Sequence, residues 1–369
     1  MPNKLVLCLD GTSNQYCADN TNVIKFLALL DKRARDQMVY YQTGVGTMVP
    51  PGLSGRVKRW FVERLDLAFA TLLDDHVEAA YRFLMRYYKE GDEVFVFGFS
   101  RGAYTARVLA GMLCKVGLLA QGNEELVPFA WATYARQKNV DEASGFKETF
   151  GRDVPIAFLG VWDTVSSVRY AWRDRSFDYT YDNPIVKKVR HAVSLDERRA
   201  YFRQNMWKEP PRPGQDVIQV WFPGVHCDVG GGYTESQSGL SKDALAWMVG
   251  EVGGSLTFSS AIFESRVPAV DRDGYTAPSA LAQMHRSLRG LWWIVEVIPK
   301  RVRDPSRNYA SRWIVPLGQP RHITQIPGRT TKVHTSVIER MRGADVDYLP
   351  SNLPDRYEVT PTLLPVFRA

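Results

Sequence analysis

The chain has 369 residues, of which 45% are hydrophobic, 12% aromatic and 24% charged, a balance that excludes a disordered, collagen-like or small disulfide-stapled protein. Its 47 basic and 40 acidic residues leave +7, and the excess is local: residues 299–342 hold ten Lys/Arg against Asp304 and Glu339, a net of +8. With the remainder near neutrality, a uniformly basic nucleic-acid binder is excluded, and one basic sector needs its own explanation.

Short apolar runs alternate along the chain with longer helical patterns, which predicts an α/β fold with a largely parallel central sheet flanked by helices. Strands are expected at Leu5–Leu9, Met38–Tyr41, Val94–Phe97, Ile156–Trp162 and Val217–Phe222. After the first, Thr21 and Asn22 can cap a helix that carries Val23, Phe26, Leu27 and Leu30. Before the third, Phe69, Leu73, Val77, Ala80, Leu84 and Tyr88 recur at three- and four-residue steps, the stripe of an amphipathic helix that Gly91-Asp92 ends. After it, Ala106, Leu109, Ala110 and Leu113 continue a helix that Gly117 stops. Beyond about Gly254 the pattern weakens. Residues 1–254 therefore read as the core, and residues 255–369 as a less regular C-terminal elaboration packed on it.

The four cysteines (Cys8, Cys17, Cys114, Cys227) lack CxxC spacing and read as reduced thiols. MPNKLVLCLDGT enters an apolar strand without the features of a signal peptide, and no apolar run approaches the roughly 18 residues of a membrane span. The expectation is a protein soluble in the cytoplasm as made. Neither a GxGxxG after the first strand nor a Walker-type phosphate loop is present, and Gly44-Val45-Gly46-Thr47 is too short for one. No cofactor and no metal are expected.

The chemistry concentrates at Glu93–Ala103, a strand, a GxSxG and a helix start. A serine on such a turn takes a strained backbone conformation, and the glycines at 98 and 102 spare it collisions, so that the Ser100 hydroxyl projects above the sheet at the positive end of a helix. The bland alternative is a tight turn in which Ser100 caps the helix. An α/β-hydrolase places its acid and histidine later in the chain, in that order. Asp163 ends the buried run Pro155–Trp162, and His226 follows Val217–Phe222 through Pro-Gly, so each sits just past the carboxyl end of a strand. His226 would take the Ser100 proton and Asp163 would orient the imidazole. The backbone amide of Arg101, with Gly11 or Thr12 after the first strand, is the expected oxyanion hole; the alternative there is an ordinary turn capped by Asp10. Asp228 reads as a loop brace. His76 sits in a helix, His191 follows Lys187, Lys188 and Arg190 on a solvated face, and His285, His322 and His334 lie in the irregular tail; of these His334 ranks second to His226.

The ordered set LDGTSN (9–14), TNV (21–23), GVGT (44–47), GFSRGAYTAR (98–107), FLGVWDTV (158–165) and WFPGVHCDVGGGY (221–233) resembles the Tle1-like lipase effectors of bacterial type VI secretion, strongly over about residues 3–250. It continues less clearly through ALAWM (244–248) and VHTSVIER (333–340). The resemblance implies an α/β-hydrolase-like fold with Ser100 as nucleophile, Asp163 as acid and His226 as base. It implies hydrolysis of phospholipid or other lipid esters, and it raises export as a secretion effector, with secretion machinery or an immunity protein as partner. A catalytically silent hydrolase-like module, or an acyltransferase or thioesterase on the same three residues, are the competing readings.

In the tail, Leu281, Met284, Leu288, Leu291, Trp292, Val295 and Ile298 recur at helical spacing up to Pro299, and Lys300-Arg301-Val302-Arg303 follows at once. A helix with Trp292 and Trp293 beside cations suits a substrate-facing or membrane-facing lid on anionic lipid; the alternative is a core helix flanked by solvated charges. Trp60 and Phe61, beside Arg56, Lys58 and Arg59, form a weaker second candidate. The basic sector reads as lying outside the three catalytic candidates, where it can dock an anionic surface but takes no part in chemistry.

Overall fold

The computed structural model describes residues 3–11, 19–44, 72–136, 140–165, 169–170, 173–174, 177–272, 274–290, 292–297, 299–304 and 310–363. Eight strands form one sheet: β1 Lys4–Leu9, β2 Gln37–Gln42, β3 Glu93–Phe99, β4 Ile156–Trp162, β5 Val186–Ser194, β6 Asp216–Phe222, β7 Thr331–His334 and β8 Tyr357–Thr360. Their order is β2-β1-β3-β4-β5-β6-β7-β8, and every neighbouring pair is parallel. The fold is α/β with a parallel central sheet flanked by helices, as the alternation of apolar runs and helical stripes predicts, and it agrees with the hydrolase-like fold that the resemblance implies.

Helices cover both faces, which is why the central strands are apolar throughout instead of alternating with polar residues. On one side, Leu5, Leu7 and Leu9 of β1 and Val94 and Val96 of β3 join a core with the helix at 72–87 (α2) and with α3, Arg101–Val116. On the other, Val6, Cys8, Phe95, Phe97 and Phe99 pack against α1 (Asn22–Leu29) and the helix Gly239–Val252. Thr21 caps α1 by accepting from the Ile24 amide, and Gly117 ends α3 at φ 70°. Phe69, the first residue of the expected α2 stripe, lies outside the described residues, as do Trp60, Phe61 and the basic residues beside them.

Three strands escape the sequence pattern. Two of them, β7 and β8, come from beyond residue 254 and complete the sheet edge. The third, β5, overturns the placing of His191 on a solvated face: its sequence VKKVRHAVS is charged, yet Arg190 and His191 are buried. Arg190 is neutralised by Asp216, at 2.7 and 3.0 Å, and by Glu251. His191 accepts from the Thr164 amide at Nε2 (3.2 Å), so Nδ1 carries the proton and donates to Gln219 Oε1 (3.2 Å). Buried polar groups are tolerated where partners meet them.

The helix expected over 281–298 is also corrected. Among the described residues of that stretch only Trp292–Glu296 is helical, and residues 282–289 are irregular. The cause is competition for backbone groups from residues distant in sequence: Arg340 takes the Ala280 and Ala282 carbonyls, and Asp228 takes the His285 amide. Leu291 and Ile298 lie outside the described residues. The basic run after Pro299 forms a hairpin, Lys300–Asp304 paired with Ala310–Ile314.

Candidate active site

The strand order reverses between β1 and β3, and ligands of open α/β sheets sit at the carboxyl ends of strands beside such a reversal. Ser100 follows β3 there. Its backbone, at φ 57° and ψ −122°, lies in a strained region that L-residues rarely adopt. The flanking glycines explain how the turn is made. A Cβ at Gly98 would stand 2.6 Å from the Gly102 carbonyl oxygen, and one at Gly102 would stand 2.3 Å from that of Leu9. Ser100 makes no side-chain capping bond to α3, so its hydroxyl is not used as a helix cap. Instead Oγ meets His226 Nε2 at 2.8 Å.

His226 opens a five-residue helix, His226–Gly230, after β6. The preceding Gly224, at φ 104°, lets the chain turn tightly over Asp228. The imidazole is buried between the Phe99 ring, at 4.6 Å between centroids, and the edge of Phe202, at 4.8 Å. Its Nδ1 lies 2.5 Å from Asp163 Oδ2. With Nε2 accepting from the serine, Nδ1 is the donor to the carboxylate.

Asp163 follows β4 with φ 39° and is wholly buried. Besides His226, it accepts from the Ser194 amide (2.9 Å) and hydroxyl (3.1 Å) at the end of β5, and from both terminal nitrogens of Arg321. Burial alone would raise its carboxyl, but Arg321 and His226 outweigh burial and hold it well below the usual carboxylate range. His226 moves below its ordinary 6.5, because burial outweighs the Asp163 bond. A neutral base beside an ionised acid is the resting state that proton abstraction from a serine requires.

Further residues that sequence reasoning passed over complete the setting. Glu197 accepts the His226 amide at 3.2 Å and is clasped by Arg199. Arg199 in turn lies over the Phe202 ring, 3.6 Å from its centroid, and 5.1 Å from that of Trp292. Arg321 and Ser194 carry no local signal, since the bond from Arg321 to Asp163 joins residues 158 positions apart.

The other sequence candidates divide. Asp228 braces the loop, accepting from Val225 N (3.0 Å) and binding His285 Nδ1 (2.6 Å), whose ring stacks on Tyr233. His334, at the end of β7, is buried against Phe222 and bonded to Ser336 and Thr362, and among the described residues no contact joins it to Ser100 or Asp163. The Arg101 amide stands at the positive end of α3. The Gly11 amide, expected in the oxyanion hole, donates to Asp10 Oδ1 at 2.7 Å, as in the capped-turn alternative. Thr12 lies outside the described residues. Trp292 stands edge-on to Phe202 at 5.6 Å, one ring removed from His226, whereas Trp293 is half exposed and packs near Gly318. The basic sector is not one surface either: Arg321 reaches Asp163 and Arg340 is buried. This corrects the expectation that the sector stays apart from the three residues. Among the described residues no group of three or more His, Cys, Asp or Glu is placed to hold a metal ion, and no helix is long and apolar enough to cross a membrane.

Residues 3–251 match the family described as T6SS, phospholipase effector Tle1-like, catalytic domain. The chain is 42% identical over 218 residues to the uncharacterized protein YEL023C of Saccharomyces cerevisiae, a match covering 54% of this chain and 32% of the yeast protein. Among solved structures it is similar to an uncharacterized protein from Pseudomonas aeruginosa, with a TM-score of 0.40 and 20% identity over 71% of this chain and 48% of that one. It is also similar to the Tle1 effector bound to the VgrG spike of the type 6 secretion system, with a TM-score of 0.38 and 18% identity over 65% of this chain and 52% of that one. The chain thus spans about a third of the yeast relative and about half of each solved chain.

Proposed function

We propose, from the premise that this chain belongs to the family of type VI secretion phospholipase effectors, Tle1-like catalytic domain, that it is a serine hydrolase of lipid carboxylic esters. The observation that carries the reading is the continuous run of short contacts from Ser100 Oγ to His226 Nε2 (2.8 Å) and from His226 Nδ1 to Asp163 Oδ2 (2.5 Å), with the serine on a strained turn.

Ser100 Oγ attacks the ester carbonyl carbon while its proton passes to His226 Nε2. The carbonyl π electrons move onto oxygen, and in this reading the Arg101 amide at the head of α3 donates to it. Collapse of the tetrahedral intermediate breaks the bond to the alcohol, which leaves with the proton from His226. Water then repeats the sequence on the acyl-serine, releasing a fatty acid and restoring Ser100. Asp163 stays ionised throughout and stabilises the imidazolium.

Family membership supports a phospholipid as the substrate, and Trp292 and Trp293 are the proposed contacts to an anionic membrane surface. Export as an effector, with a secretion-spike partner, belongs to the same proposal, as does a single domain in which residues 255–369 are packed on the core 1–254. Wild type and Ser100→Ala are compared on phospholipid vesicles and on p-nitrophenyl esters. Fatty-acid release by wild type alone is expected; equal release by both would overturn the reading.

A further inference from the structure

Arg321 belongs to the C-terminal segment, 70 positions past the end of the family match at residue 251. Its guanidinium nevertheless grips both oxygens of Asp163, Nη1 to Oδ1 at 2.5 Å and Nη2 to Oδ2 at 3.0 Å. Nη1 also donates to the Ser194 carbonyl (3.0 Å) and hydroxyl oxygen (2.8 Å), and Nη2 to the Phe202 carbonyl. Arg321 is 2% exposed, so water hardly screens its charge.

We infer that Arg321 is a positioning residue for the Ser100–His226–Asp163 relay, locking the Asp163 carboxylate in the plane that faces His226 and offsetting part of its charge. The inference rests on the hydrolase reading above. A carboxylate offers about four lone-pair directions. Five donors converge on it: Ser194 N and Arg321 Nη1 on Oδ1, and His226 Nδ1, Ser194 Oγ and Arg321 Nη2 on Oδ2, so the carboxylate is saturated, and the planar fork of Arg321 spans both oxygens in a way a point charge cannot. Rotating the carboxylate away from His226 would break both arms of that fork at once.

The charge has a second effect. In the relay the acid's negative charge compensates the imidazolium that forms when Ser100 gives up its proton. With a guanidinium in contact, the Asp163–Arg321 pair is close to neutral as seen from His226, so the acid lends the imidazole less proton affinity. His226 then remains an unprotonated base to lower pH. Among the described residues, the other charged or titratable groups around the pair are Glu197 and Arg199, which neutralise each other, the thiol of Cys227, Asp228 with His285, and His191 on β5 behind Asp163, with Arg107 beside it. None of these grips the carboxylate. Arg321 is therefore the group whose removal changes the charge seen by the Asp163–His226 pair most directly.

A purely structural tie between the tail and the core would leave the titration of His226 unmoved, and this separates the two roles. The test follows two readouts over pH in wild type, Arg321→Gln and Arg321→Lys: the rate at which a fluorophosphonate labels Ser100, and the imidazole 15N shift of His226. The glutamine variant is expected to raise the His226 midpoint by about one pH unit and to carry the labelling midpoint with it. The lysine variant keeps the charge and loses the fork, so its midpoint stays within about 0.3 units of wild type while labelling slows about tenfold. Unmoved midpoints in folded Arg321→Gln would overturn the electrostatic part. Wild-type labelling rates in Arg321→Lys would overturn the positioning part, and Arg321→Met, neutral and of similar length, replaces the glutamine variant for the electrostatic part if that protein does not fold. Wild-type Ser100 that takes no label would sink the hydrolase reading instead, with the His226 titration still deciding what Arg321 does.

Discussion

Gly102 presses against the Leu9 carbonyl so closely that a Cβ at residue 102 would lie 2.3 Å from the oxygen, with the Asp10 carbonyl oxygen at 2.5 Å. Both obstacles are backbone, so neither can swing aside, and α3 would have to withdraw from the end of β1. Gly102→Ala is expected to destabilise the protein by about 1–3 kcal/mol and to reduce Ser100 labelling, because Ser100 sits on the same turn. Gly145, in the helix Val140–Phe150, meets nothing within 4 Å. Gly145→Ala should therefore stabilise by about 0.5–1 kcal/mol. Urea unfolding of the two variants checks the opposite signs.

Two aspartates flank the histidine in sequence space, and geometry separates them. Asp163 bonds His226 Nδ1, whereas Asp228 bonds His285 and the Val225 amide. On the proposed mechanism Asp163→Asn lowers ester kcat by about 10³–10⁴, since an amide can present the wrong partner to Nδ1. Asp228→Asn leaves kcat within about tenfold and lowers Tm instead, because it frees a buried donor. Steady-state kinetics with thermal unfolding of both proteins distinguishes them; a larger kcat loss in Asp228→Asn would reverse the assignment.

Much of this was legible in the chain because its cause is local. β1, β3 and β4 lie between two helical layers and so read as apolar runs, and the glycines around Ser100 are demanded by backbone contacts a few residues away. What was hidden is non-local. β5 carries Arg190 and His191 in the interior because Asp216, Glu251 and Gln219 meet them from other elements. The apolar spacing of residues 281–298 imitates a helix, but Arg340 and Asp228 claim the backbone groups that a helix would use. Arg321 looks like one more member of a basic sector until the fold carries it to Asp163.

His191 makes stability depend on pH in a definite direction. Burial, with help from the Arg107 charge, brings its pKa from 6.5 down to about 3. The unfolded chain therefore takes up a proton near pH 6.5 that the folded one refuses until about pH 3. Stability is full above 6.5 and declines as pH falls, by about 1.4 kcal/mol per unit from this group. His334, lowered to about 4 by burial, adds to the same slope. Urea unfolding between pH 7 and 4 should show a shallower decline in His191→Gln than in wild type, whatever the variant's stability at pH 7. An unchanged slope would contradict the buried neutral imidazole.

The neighbouring tryptophans are expected to fail differently. Trp292 touches Phe202, which packs on His226, so Trp292→Ala should cut kcat/KM on soluble esters by roughly tenfold through looser positioning of the base. Trp293 is half exposed and leans on Gly318, next to the exposed Leu317. A large aromatic there can enter a lipid interface. Trp293→Ala should leave soluble-ester kinetics unchanged and weaken binding to anionic vesicles about tenfold. Vesicle sedimentation and ester assays on both variants provide the check, and equal vesicle binding by wild type and Trp293→Ala would remove Trp293 from the proposed surface.

The boundary near residue 254 is a change of pattern along the chain, and the fold spans it. Trp221 of β6 and Val193 and Leu195 around β5 share a core with Val333 and Val337 of the tail. The ring of Phe222 stacks on His334 at 4.4 Å, and β7 and β8 close the sheet beyond β6. A chain ending at residue 254 would leave these apolar groups and the outer edge of β6 open to water, inviting edge-to-edge association. It would also leave Asp163 buried without Arg321, a charge stripped of its counter-ion. The 1–254 fragment is therefore expected to aggregate, or to lack the cooperative thermal transition of the full chain and its Ser100 labelling. Calorimetry and size-exclusion chromatography of the two proteins decide this: a monomeric fragment with a sharp transition and wild-type labelling would establish 1–254 as an independent domain and make the tail an accessory.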